Sequence, residues 1–151
     1  MVKLDPKMSA VLKGVLFGAL LFSGLYMNII GHEIGHFLVA QNLSLQPELH
    51  LFENSTTGEG FSFAHQRHYV SYLSPTSELD KIDFKVALAG PLTNVLIALG
   101  LALAYIKTPK SKRTLRTALI MLLIPSVLSA ALNLIPSPGI DGDTIWSYMR
   151  L

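Results

Sequence analysis

The chain has no cysteine, so disulfides and thiolate metal sites are excluded, while the compartment is left open. Charge is scarce as well. Only 15% of the 151 residues are Asp, Glu, Lys or Arg, against about 25% in a typical soluble domain. The deficit is concentrated. No Asp, Glu, Lys, Arg or His occurs from Gly14 to Gly31, from Val86 to Ile106 or from Thr117 to Ile140, runs of 18, 21 and 24 residues. The net charge of +2 is too small to suggest a nucleic-acid partner, and no basic-aromatic binding pattern is present. Repeats and low-complexity segments are also missing. What is there is apolar: half the residues are hydrophobic and the mean hydropathy is +0.45.

A helix needs roughly 17–25 uncharged residues to cross the hydrocarbon core of a bilayer, and each of the three runs qualifies. Three buried helices of a soluble bundle would need amphipathic sequence to coat them, and little is left over. The expected architecture is therefore an all-α integral membrane protein, one membrane-embedded domain over 1–151. Helix 1 is expected over about 8–41, a polar loop over 42–77, helix 2 over about 78–107, helix 3 over about 114–135, and a broken motif with a short helix over 136–151. Lys3, Lys7 and Lys13 ahead of the first run resemble a signal peptide, but no convincing small-residue cleavage site follows, so the span is read as a retained anchor. Within the loop, "LHLF" (49–52) and "GFSFA" (60–64) alternate around "ENSTTGEG", which reads as a short β-hairpin or re-entrant segment. Thr76 or Ser77 is a plausible N-cap for helix 2, and Pro125 is expected to bend helix 3. Trp146 and Tyr148 suit interface depth. Gly14, Gly18, Gly31 and Gly35 form small-xxx-small pairs that permit close helix packing.

Ionisable groups are expensive at the edge of an apolar span and usually have a task or a partner. "HEIGH" places three of them, His32, Glu33 and His36, in one turn. On a helix, positions i and i+4 share a face, so both imidazoles can reach one ion. Glu33 is rotated by one residue, placed to take a proton from water that a zinc ion activates. A catalytic zinc usually has three protein ligands and one open position. Alternating spans bring the end of helix 1, the start of helix 2 and the segment after Ile135 to one membrane face. There the histidines meet "AGPLTN" (89–94) and "NLIPSPGIDGD" (133–143). Asp141, in a Pro/Gly-rich break with few partners other than a cation, is the expected third ligand. Asp143 is its rival, although an N-cap on the last helix explains it more cheaply. His50, Glu53, His65 and His68 belong to the same face and read as solvated or headgroup-level residues. Asn94 and Asn133 are either interhelical hydrogen-bonding groups or donors to a substrate carbonyl. Asn28, one turn before His32, reads as packing or as a partner of that histidine.

At these residues the chain resembles the site-2 protease family (peptidase family M50) of intramembrane zinc metalloproteases. "HEIGH" is similar to its HExxH helix, "GPLTN" to its G-P-x-x-N element, and "NLIPSPGIDG" to its N-x-x-P-x-P-x-x-D-G element. The resemblance implies zinc on His32, His36 and Asp141, Glu33 as general base, and Asn94 assisting at the substrate. It implies cleavage of transmembrane or membrane-adjacent segments of other proteins. The resemblance covers the chain from about residue 14 to residue 143, and Ile140 stands where Leu is more usual. So small a core makes a homo-oligomer or a regulatory membrane partner a natural expectation.

The expected function is thus an intramembrane zinc endopeptidase, with one catalytic Zn2+ and a transmembrane protein substrate within the lipid bilayer. The alternatives are a catalytically silent zinc-binding subunit and a metal or proton transporter, the latter disfavoured by three spans without an inverted repeat. Orientation is contested. The face opposite the motifs carries Lys3, Lys7, Lys13, Lys107, Lys110, Lys112, Arg113 and Arg116, against Arg67, Lys81, Lys85 and Arg150 on the motif face. That balance puts the motif face outside, whereas the resemblance implies a site nearer the cytosol.

Overall fold

A computed structural model describes residues 6–54, 66–73 and 79–150. Six elements follow in order: α1 (Pro6–Asn42), β1 (Glu48–Asn54), β2 (Gln66–Ser71), α2 (Leu79–Lys107), α3 (Arg113–Leu132) and α4 (Asp141–Met149). α1, α2 and α3 are long and apolar enough to cross a membrane, as expected for a multi-pass protein with three spans. Each contacts the other two, and α4 packs on α2.

The burial pattern is inverted relative to a soluble bundle. Val11, Val15, Met27, Leu96, Leu103 and Ile106 are exposed, while Asn28, His32, Glu33, His36, Asn94 and Ser126 are buried. Water would penalise so much outward apolar surface, and lipid does not. Small residues set the helix contacts. A Cβ at Gly24 would touch Leu122 and Pro125 of α3, and one at Gly35 would collide with Thr93 and the Ala89 carbonyl of α2. Gly14 and Gly18, by contrast, have nothing within reach, so only part of the glycine pattern of α1 serves packing within the chain.

α1 ends in a recognisable stop. Leu45 N–H donates to Ala40 O and Ser44 N–H to Gln41 O, with Ser44 left-handed at φ 59. This is the paired bonding of a Schellman motif. It turns Leu45 back against Ala40 and Val86, the small apolar cluster at this end of the bundle, which Val39, Leu43, Tyr72 and Ile82 complete. Leu73 N–H then bonds Leu45 O and ties the hairpin's exit to its entrance.

The hairpin is antiparallel, with Glu48 opposite Ser71, His50 opposite Tyr69 and Glu53 opposite Arg67. Its second strand is Gln66–Ser71, a correction to the 60–64 strand expected from alternation; 60–64 itself lies outside the described residues, as do Thr76 and Ser77. A register shift between His50 and Glu53 marks a bulge, where Phe52 is left-handed at φ 60. Glu53 closes the far side. It accepts from Tyr69 Oη, Arg67 Nε and His50 Nδ1, and although burial acts to raise its carboxyl, these donors hold it below its ordinary value.

At the opposite end, α2 and α3 are joined by a tight basic turn. Arg116 Nη1 donates to the carbonyls of Tyr105 and Thr108, and its guanidinium lies over the Tyr105 ring at 3.9 Å. Helical carbonyls that α2 leaves open are thereby satisfied. α3 continues through Pro125 and stops at Leu132, three residues earlier than expected. Leu134 and Ile135 N–H reach back only to Ala131 and Leu132, because Pro136 disfavours helical geometry just before it. α4 starts at Asp141, ahead of the Asp143 cap read from the sequence. Its N-cap is Ile140 and no side chain caps it. The expected Asp143 N-cap is therefore corrected: Asp141 and Asp143 both stand in the first turn, where the helix dipole favours carboxylates. Trp146 Nε1 donates to Leu134 O and fixes α4 against the end of α3.

Candidate metal centre

His32 and His36 lie one turn apart on α1, with rings edge-on at 86° and centroids 4.6 Å apart. Their Nε2 atoms are 3.0 Å from each other. Asp141 arrives from the first turn of α4, with Oδ2 2.8 Å from His32 Nε2 and Oδ1 3.3 Å from His36 Nε2. Residues more than a hundred positions apart therefore meet, and together they could hold a metal ion. Asp143, the rival third ligand in the sequence, is not part of this group among the described residues. Gly142 is required for the approach, since a Cβ there would run into the Ile135 carbonyl.

Hydrogen bonds to Nδ1 set the tautomers. His36 Nδ1 lies 2.6 Å from Val86 O. A carbonyl only accepts, so Nδ1 carries the proton and the neutral ring presents its Nε2 lone pair to the centre. His32 Nδ1 lies 3.2 Å from the Asn94 amide nitrogen, which also donates to Ser129 Oγ at 2.7 Å. Asn94 Oδ1 is buried without a hydrogen bond. Turning the amide about Cβ–Cγ puts Oδ1 against Nδ1–H and the Ser129 hydroxyl, and leaves the His32 Nε2 lone pair facing His36 and Asp141.

Do these residues fit a metal? Asp141 Oδ2 is buried and makes no hydrogen bond despite its closeness to His32. Two imidazole nitrogens and one carboxylate form the donor set of an open zinc site. Bonds of about 2 Å to one centre would space tetrahedral ligand atoms roughly 3.3 Å apart, close to the separations observed. Gly90 on α2 makes room, because a Cβ there would lie 2.5 Å from His36 Nε2 and 2.6 Å from His32 Nε2.

A cavity of about 440 Å³ opens over this group. Glu33, buried beside the histidines, lines it together with Asn133, Asp141 and Asp143. Asn133 folds back, its Nδ2 donating to Ser129 O at 3.0 Å. Of the two readings of Asn94, the geometry matches the interhelical hydrogen bond: it is fully buried, with its amide on His32 and Ser129, and it does not line the cavity. Asn28 bonds Gly24 O one turn back. His50 and Glu53 pair within the hairpin, and His65 lies outside the described residues.

The wall facing α1 comes from β2, through His68, Tyr69 and Val70, and from Tyr72. Tyr72 Oη donates to Asp83 at 2.7 Å, and burial together with this carboxylate pushes the phenol above its ordinary range. The sequence assigned His68 to the solvated loop, but a half-buried position on the cavity wall is where β2 carries it. A strand over 66–71 would have exposed that signal. No family model matches the chain, and a search of curated proteins finds no match either.

Proposed function

We propose that the chain is an intramembrane zinc endopeptidase of the site-2 protease type, hydrolysing peptide bonds in transmembrane or membrane-adjacent segments of other proteins. One observation carries this reading. His32, His36 and Asp141 converge with an unbonded carboxylate oxygen at the floor of a cavity that Glu33 also lines, inside three apolar helices. Zinc held by these three residues would supply Lewis acidity, polarising a carbonyl and lowering the pKa of water to about 7. The protein's own part is proton handling and positioning. Glu33 takes the proton of the attacking water and returns it to the departing amide nitrogen. His36, fixed by Val86 O, and His32, fixed by Asn94, keep their lone pairs aimed at one point. Asp141 is held there by α4.

A helical substrate hides its carbonyls in hydrogen bonds, so it must unwind before attack. β2 contributes to the cavity wall and has a strand partner, β1, on one side only among the described residues. We place the unwound segment along its open edge as an added strand.

The test compares wild type with Glu33→Gln. Both should bind one zinc per chain, and only wild type should cleave a model transmembrane peptide. Zinc without cleavage in either protein would instead favour a silent zinc-binding subunit, and zinc or proton flux into liposomes a transporter.

A further inference from the structure

We propose that His68 is a substrate-binding residue of this site, donating its Nε2–H to a peptide carbonyl of the segment being cleaved. The inference rests on the protease reading and assigns it a group outside the metal-binding trio.

Three observations carry it. His68 lines the same cavity as Glu33, His32, His36 and Asp141, yet it is not a member of the group that could hold the ion. It therefore faces the space left for a substrate. Next, its tautomer is determined. Phe52 N–H donates to His68 Nδ1 at 3.1 Å, so Nδ1 is the acceptor and the neutral ring carries its proton on Nε2. Nε2 has no hydrogen-bond partner among the described residues, which leaves a donor over the cavity. Finally, the fold is deformed at this point. The bulge that delivers the Phe52 N–H holds Phe52 at φ 60, a conformation that is uncommon outside glycine and costly for a bulky side chain. Bulges re-aim side chains next to sites, and the Phe52 ring seats the imidazole edge-on, 4.9 Å between centroids. Burial also lowers the His68 pKa, which keeps the ring neutral near pH 7 and its Nδ1 available to Phe52.

A donor at that place can bond a carbonyl in the bound segment and strengthen that bond as the oxygen gains charge.

Two variants separate this role from a structural one. Asparagine places an amide oxygen near Nδ1, so His68→Asn keeps the acceptor for Phe52 N–H and removes the Nε2 donor. Glutamine places its amide nitrogen near Nε2, so His68→Gln keeps the donor and gives up the acceptor. The full chain is zinc-loaded in detergent, and a labelled synthetic transmembrane peptide with a central glycine break is the probe. Peptide binding is measured by anisotropy in the Glu33→Gln background, and kcat and KM in the active one, with zinc content and melting temperature alongside. The expected result is a peptide affinity at least tenfold weaker for His68→Asn, a kcat lower by about 10²–10³, the cost of losing one such donor, and unchanged zinc. His68→Gln should fall between this and wild type. The proposal is overturned if Gln is the worse variant in binding, if both variants match wild type, if His68→Asn loses zinc, or if the peptide binds none of the proteins. The expected binding order without cleavage by wild type would sink the protease reading alone. Cleavage by wild type that His68→Asn retains would sink this inference alone.

Discussion

Gly90 of α2 lies directly against His36 of α1: a Cβ added at Gly90 would stand 2.5 Å from His36 Nε2, with His32 Nε2 at 2.6 Å. Both contacts are with the nitrogens that would bind an ion, so a single methyl group would compete with a metal held there. Gly90→Ala should retain helical content, because alanine favours a helix interior. Its zinc affinity should fall by about 10–100-fold, the range seen when a ligand's surroundings are disturbed. Isothermal titration against zinc, with circular dichroism for the fold, checks both halves. Full zinc affinity in the alanine variant would contradict the geometry.

Asn94 should matter through His32. Its amide is the partner available to His32 Nδ1 and is locked in turn by Ser129. Asn94→Leu leaves the ring free to rotate and to carry its proton on the wrong nitrogen. Zinc affinity should drop about 10–100-fold. Asn94→Asp, which still accepts from Nδ1–H, should bind zinc more tightly than the leucine variant. The opposite order would show that Asn94 does not orient the ring.

How far the sequence reaches depends on the range of the interaction. The three spans were legible because lipid demands long uncharged runs, and the runs 14–31, 86–106 and 117–140 fall inside or beside α1, α2 and α3. The i, i+4 histidines were legible because helical spacing is local. Asp141 was legible only through topology, which brings the start of α4 back to the end of α1. The rest depends on contacts that no local pattern announces. "QRHYVS" has no clean alternation, so β2 and the inward position of His68 were missed. The bulge at Phe52 has no glycine to mark it. The place of Asn94 behind His32, rather than in the cavity, follows from how α2 packs on α1, with Gly90 and Gly35 at the contact.

Asp141 and Asp143 occupy the same turn of α4 and differ in what they reach. Asp141 stands within 3.3 Å of both imidazoles, whereas Asp143 is exposed at the cavity rim. Asp141→Ala should abolish stoichiometric zinc binding, and Asp143→Ala should leave it intact. Mass spectrometry of metal content after dialysis distinguishes them, and equal loss from both would argue for a shared or different ligand.

Ser44 sits at the left-handed position of the stop that ends α1. An L residue there costs roughly 1–2 kcal/mol that glycine avoids. Ser44→Gly gives part of this back to unfolded-chain entropy, so a gain of about 1 kcal/mol is expected. For a chain of this size that is a rise of about 2–4 °C in melting temperature. A fall would mean that the serine side chain has a role its exposed position does not reveal.

His68 should leave a signature in the pH dependence of stability. Burial lowers its folded-state pKa below 6.5. A histidine released by unfolding titrates near 6.5. Above that value both states are neutral and His68 contributes no pH dependence. Below it the unfolded chain takes up a proton that the folded chain refuses until its lower pKa is reached. Through this window the unfolded state binds more protons, so stability falls as pH falls. His68→Asn cannot titrate. Both proteins share every other ionisable group, so the difference between their melting temperatures isolates His68. Wild type should lose stability relative to the asparagine variant between pH 7 and pH 5 and show no such divergence between pH 7 and pH 8. A relative gain on acidification would mean that the folded state prefers the charged imidazole, and Nδ1 could not then be the acceptor for Phe52.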